Sequence, residues 1–182
     1  MKLGIKLISL LLFMIPQVSF GGGIEQTNCK NSETLVSLVD YSYCIPKKGL
    51  ESFRVLGGKH TTVHIVNKGI EYSFAKIPTS LAILDIPEKT GISLTQFFQR
   101  LINTNHIKNG YSDIRSAFDI KESTIVSNYT NKGISAYYII NEGSINNSIY
   151  LLNDSEEYIY VVKGAFGELF ARRFLSGLQY VF

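Results

Sequence analysis

Residues 133–182 read GISAYYIINEGSINNSIYLLNDSEEYIYVVKGAFGELFARRFLSGLQYVF, and this stretch decides the fold. Three runs rich in β-branched and aromatic residues, 133–140, 148–153 and 157–163, are separated by the turn signals Glu142-Gly143 and Asn153-Asp154-Ser155. Such runs between short polar breaks predict an antiparallel meander. The period then changes. In 167–178, Phe170, Phe174 and Leu178 stand four residues apart, which places them on one stripe of a helix. A meander covered by a helix is a core made from sequence neighbours.

Upstream, 124–129 reads as another strand, closed by Asn131-Lys132-Gly133. The clearest local signal is Ser93-Leu94-Thr95-Gln96, a capping box followed by Leu94, Phe97, Phe98, Leu101 and Ile102 on one helical face. This predicts a helix that ends near 103–105. Asn109-Gly110 marks a turn, and 111–118 fits one or two helical turns.

Further upstream, strands are expected over 52–56 and 61–66, with a turn at Asn67-Lys68-Gly69 where glycine makes a positive φ easy. The next strand, 70–77, puts Ile70, Tyr72 and Phe74 on one face, and 80–86 is expected to continue the sheet as far as Pro87. Residues 41–45 alternate and predict a strand ended by Pro46, whereas 34–40 fits a short helix or a strand. The expected class is α+β: an antiparallel sheet flanked by helices, one domain over 22–182.

Residues 1–21 have the layout of a secretory signal peptide: Lys2 and Lys6, an uncharged apolar run from Leu7 to Pro16, then Ser19 and Gly21 at cleavage-site spacing. The expected localisation is periplasmic or secreted, with membrane contact only through that export signal. Both leader lysines leave with the signal, so the whole-chain excess of +3 falls to +1. Lys47-Lys48 and Arg172-Arg173 are isolated pairs, so no clustered basic surface invites nucleic acid. Cys29 and Cys44 are the only cysteines. In an oxidising compartment they are expected to pair, closing a loop worth ~3 kcal/mol.

The strand Gly133-Ile134-Ser135-Ala136-Tyr137, the run 157–162, the helix over Phe170 to Leu178 and the tail Tyr180-Val181-Phe182 resemble PsbP-like and DcrB-like domains. An early strand ending in Ile45-Pro46 also matches. The resemblance implies an α/β sandwich over 41–182 and an accessory or binding role without catalytic residues, and it transfers no site residues. The many strands between 52 and 86, and a Cys29–Cys44 bridge, depart from its pattern.

Candidate chemistry is sparse. His60 and His64, four apart, would share a strand face, and Glu71 across the turn is the third group a metal would need. Two surface histidines on a strand account for the same pattern. His106 suits a helix C-terminus. Asp113, Asp119 and Glu122, and Asp154, Glu156 and Glu157, cluster in sequence, but capping and turns explain both groups. No G-x-S-x-G motif is present, and no cofactor is indicated. The form N-x-S/T at Asn128, Asn146 and Asn153 carries no weight in a chain so rich in Asn and Ser. Tyrosines on strand-like runs fit a protein-binding surface or half-buried sheet packing equally well.

The function expected is that of an exported, non-catalytic protein-binding or accessory protein whose partner is another protein. Three alternatives are an immunity protein against a periplasm-acting toxin, a small-ligand carrier and a metal-dependent hydrolase using His60 or His64. An exposed acidic or aromatic patch would mark the first, an apolar pocket the second, and a metal or carboxylate in contact with the histidine the third.

Overall fold

The computed structural model describes residues 29–38, 40–58, 60–83, 91–103, 111–131, 133–153 and 157–180. The expected signal peptide and His106 lie outside them, as do Asp154 and Glu156. In order, the chain forms strands β1 (Glu33–Leu38), β2 (Tyr41–Pro46), β3 (Leu50–Leu56), β4 (Thr62–Asn67) and β5 (Ile70–Pro78). Helices α1 (Thr79–Ile83), α2 (Leu94–Asn103) and α3 (Tyr111–Ala117) follow. Strands β6 (Ile125–Asn131), β7 (Ile134–Ile140), β8 (Asn147–Leu152) and β9 (Tyr158–Gly164), helix α4 (Glu168–Gly177) and strand β10 (Gln179–Tyr180) complete it. The expected class is seen, α+β with antiparallel pairing, but in two sheets rather than one. The larger has the order β3-β4-β5-β9-β8-β7-β6 and the smaller the order β1-β2-β10.

The meander is present as β6 to β9, and its last strand also pairs with β5, so two meanders are joined into one sheet. Strands β7, β8 and β9 are apolar on both faces. On one side Ala136, Tyr138, Ile149, Leu151, Tyr160 and Val162 belong to a core shared with α4 and the small sheet. On the other, Tyr137, Ile139, Tyr150, Leu152, Ile159 and Val161 pack with Leu94, Phe97, Phe98 and Leu101 of α2. Strict alternation between two cores is what a period of two gives when both faces are covered.

The capping box forms as predicted: the Ser93 amide donates to Gln96 Oε1 at 3.1 Å, and the Gln96 amide donates to Ser93 Oγ at 3.2 Å. Such a cap contributes about 1 kcal/mol. The segment expected to continue the sheet after 80 instead begins as α1. Pro78 ends the ladder where Tyr158 begins it, and the Thr79 amide turns to the Glu157 carbonyl at 3.0 Å. Ile83 is then buried and Leu81 exposed. Residues 34–38 are strand β1, one of the two forms expected.

Within the small sheet, Cys29 and Cys44 form a disulfide across Cα atoms 5.6 Å apart, tying the start of the segment to β2; two further sets of contacts anchor this sheet to the large one. The Tyr41 ring meets Tyr160 edge-on at 4.8 Å, and the Tyr41 hydroxyl donates to the Leu152 carbonyl at 3.4 Å. The Tyr160 hydroxyl donates to Asp40, whose carboxylate also holds Lys76 Nζ at 3.3 Å.

At Gly164 the two meanders approach so closely that a Cβ there would lie 2.3 Å from the Glu71 carbonyl oxygen and 2.7 Å from Tyr72 Cα. Gly164→Ala should therefore cost about 1–3 kcal/mol or more of stability, measured by urea unfolding. Gly177→Ala, with open space around its Cβ, should change it by less than ~1 kcal/mol. Burial raises the phenols of Tyr43, Tyr72, Tyr137, Tyr150 and Tyr160 above their ordinary range. Their stabilisation is complete below the unfolded value near ~10 and is lost as pH climbs through the folded values. In an alkaline titration their phenolate absorbance should rise together with cooperative unfolding; ionisation of all of them ahead of unfolding would contradict that burial.

Candidate functional site

The described helices do not cover the whole of the large sheet. Where β3, β4 and β5 continue the face that α2 packs against, register pairing lays out a polar row across five strands. Arg54 stands opposite His64, His64 opposite Ser73, Ser73 opposite Lys163, and Lys163 opposite Ser148. Neighbouring positions in such a row are one strand spacing, ~4.8 Å, apart. Glu71 is diagonal to His64 on the same face, and its Oε1 lies 2.8 Å from His64 Nε2. The turn that fixes this register has Lys68 at φ 52° and Gly69 at φ 72°, the pair of positive values a tight hairpin needs.

A cleft of ≈ 350 Å³ opens over the row. His64, Glu71, Ser73 and Lys163 line one side, and Ile145 and Asn146 of the β7–β8 loop the other. That loop is held by Asn147, which is buried and fully used: the Asn141 amide donates to its Oδ1 at 2.7 Å, and its Nδ2 donates to the Phe166 and Ser144 carbonyls at 2.6 and 3.3 Å. The loop wall is thus tied to the β9–α4 connection.

The row offers two permanent cations, an imidazole and two hydroxyls beside a single carboxylate, a set that attracts acidic groups. It does not line up for nucleophilic catalysis. The Ser73 hydroxyl donates to the Lys163 carbonyl at 3.4 Å rather than to His64, and Glu71 is largely exposed. The carboxylate contact that a His64 hydrolase requires is present; the aligned nucleophile is not.

His60 does not join this group. Strand β4 starts at Thr62, so the two histidines do not share a strand face, and His60 Nε2 is buried without a hydrogen-bond partner. Among the described residues, the three-member cluster with metal-ligand spacing is Cys29, Glu33 and Cys44, whose sulfurs are committed to the disulfide. Of the acidic residues, Asp154 and Glu156 lie outside the described residues. Asp119 pairs with Lys121 at 3.2 Å, Asp113 lies on α3, Glu122 is exposed, and the Glu157 backbone serves α1. The tyrosines settle on packing: Tyr41, Tyr43, Tyr72, Tyr137, Tyr138, Tyr150 and Tyr160 are buried, and only Tyr158 and Tyr180 pass one-third exposure among those with described burial.

Sequence reasoning missed Arg54, Ser73 and Lys163. The turn at 67–69 fixes His64 opposite Ser73 and was a usable signal; Lys163 depends on β5–β9 pairing, which no local pattern shows. No family model matches the chain, and no curated protein matches it significantly.

The His64–Glu71 pair lies at the surface, where such pairs contribute ~0.2–1 kcal/mol. A double-mutant cycle with His64→Gln and Glu71→Gln should give a coupling below ~1 kcal/mol in urea unfolding. A much larger value would make the pair a structural element rather than part of a binding face.

Proposed function

We propose that the protein is an exported, non-catalytic binding protein that takes an extended segment of a partner protein along the outer edge of β3. One observation carries this reading. β3 ends the large sheet, no strand pairs with its outer side among the described residues, and it keeps Phe53 and Val55 44% and 58% exposed. A regular apolar edge is a template for strand addition. The register shift between Leu50 and Ser52 affects only its beginning.

The two faces define what such a strand must carry. Phe53 and Val55 extend the buried rows of Ile65 and Val63, so apolar side chains fit there. Between them Arg54 ends the polar row on the opposite face, so an acidic side chain fits opposite it. The partner motif is apolar-acidic-apolar. A second copy of β3 fits less well, because any antiparallel register that keeps the faces matched puts two Arg54 side chains on one face.

The disulfide and the leader-like pattern of 1–21 support a compartment outside the cytoplasm. An accessory role is also what the resemblance to PsbP-like and DcrB-like domains implies; the added small sheet and the disulfide depart from that pattern.

The test is retention of a partner from the organism's own cell envelope on the disulfide-bonded protein, identified by mass spectrometry. One stoichiometric protein should be retained, and Val55→Lys should reduce its retention about tenfold or more without lowering the unfolding midpoint. Equal retention by the variant, or no protein retained at all, would reject the reading; a β3-dependent dimer of this chain would replace it.

A further inference from the structure

A second cleft, partly open to solvent, lies on the opposite face of the large sheet, where β2 and α4 meet the β4–β5 hairpin. Its volume is ≈ 240 Å³. Aromatic rings dominate the walls: Tyr43 packs edge-on against Phe174 at 4.9 Å, Tyr72 against Phe170 at 4.9 Å, and the two phenylalanines stack at 6.0 Å.

Three polar features set this space apart from a packing defect. The hydroxyls of Tyr43 and Tyr72, both nearly fully buried, lie 3.3 Å apart. A pair of phenols has two protons and uses one between them, so one donor remains to be satisfied. Asn67, which lines the same space, has a buried Oδ1 with no hydrogen-bond partner, an acceptor in need of a donor. Lys68 and Arg173, both exposed, also line it, and the described lining residues include no carboxylate. Burial keeps both phenols protonated, so the site presents donors and positive charge to an incoming anion.

We propose that this pocket binds a small aromatic carboxylate bearing a hydroxyl group. The ring packs against Phe170 and Phe174, and the carboxylate pairs with Arg173. The hydroxyl accepts the spare phenol proton and donates to Asn67 Oδ1, which satisfies both orphaned groups at once. The site is on the other side of the sheet from the polar row and does not depend on strand addition at β3.

The experiment is an amide-resolved NMR titration of the disulfide-bonded protein with three probes: 3-(4-hydroxyphenyl)propionate, its neutral carboxamide, and 3-phenylpropionate. The first should give saturable shifts at Tyr43, Ile70, Tyr72 and Phe174. Loss of the charge, by the carboxamide or by Arg173→Gln, should weaken binding about tenfold or more, and loss of the hydroxyl about fivefold. Arg173 is exposed, so this variant should keep the native spectrum elsewhere. Replacing both phenols, Tyr43→Phe with Tyr72→Phe, removes the spare donor altogether and should weaken the hydroxylated acid about fivefold while leaving 3-phenylpropionate unchanged. No saturable shifts at these residues, equal affinity for acid and carboxamide, or equal affinity for the two acids would each overturn the proposal.

Discussion

Strands β7, β8 and β9 carry apolar side chains on both faces, and the remaining architecture follows from that constraint. Each large apolar side chain left in water would forfeit ~1.5–3 kcal/mol, so neither face of these strands can remain bare. One face takes α1, α2 and α3 on the way from β5 to β6. The other takes α4 and a second, smaller sheet. Polar chemistry is left to the part of the large sheet that the described helices do not reach. The candidate cleft and the open edge are therefore neighbours because the covering layers end there.

Tyrosine forms the seam between the layers. Each buried ring brings a hydroxyl that must find a partner, and the partners come from different elements: the Leu152 carbonyl for Tyr41, Asp40 for Tyr160, and each other for Tyr43 and Tyr72. These bonds fix where the small sheet sits more narrowly than apolar packing alone does. Lys76 adds to the seam by lying 5.2 and 5.4 Å over the Tyr158 and Tyr160 rings.

Local structure was largely legible in the sequence. The capping box at Ser93, the stripe Phe170-Phe174-Leu178, the turn at Asn67-Lys68-Gly69 and the C-terminal meander all depend on contacts a few residues apart. Residues 80–86 were expected as strand because their apolar pattern fits either period; 80–83 instead lie in α1, after Pro78 ends the ladder and the Glu157 carbonyl takes the Thr79 amide, and 84–86 lie outside the described residues. Tyrosines on alternating strands were compatible with an exposed surface because alternation does not reveal whether the second face is covered. The site was legible only in part. His64 and Glu71 were found through the hairpin, but Lys163 reaches them by a pairing between distant segments, and His60 fell short of the strand by two residues.

Gly164 has a further consequence for how the protein is made. It sits in the ladder between residues 72–78 and 158–164, the joint that turns two meanders into one sheet. The first meander is complete early in the chain, yet Tyr72 and Phe74 have no neighbour on that side until nearly the whole polypeptide has emerged. Pairings so distant in sequence form late and slowly. Until then β5 is a second open edge, and β3 to β5 resembles an unfinished sheet with both margins available for misassociation.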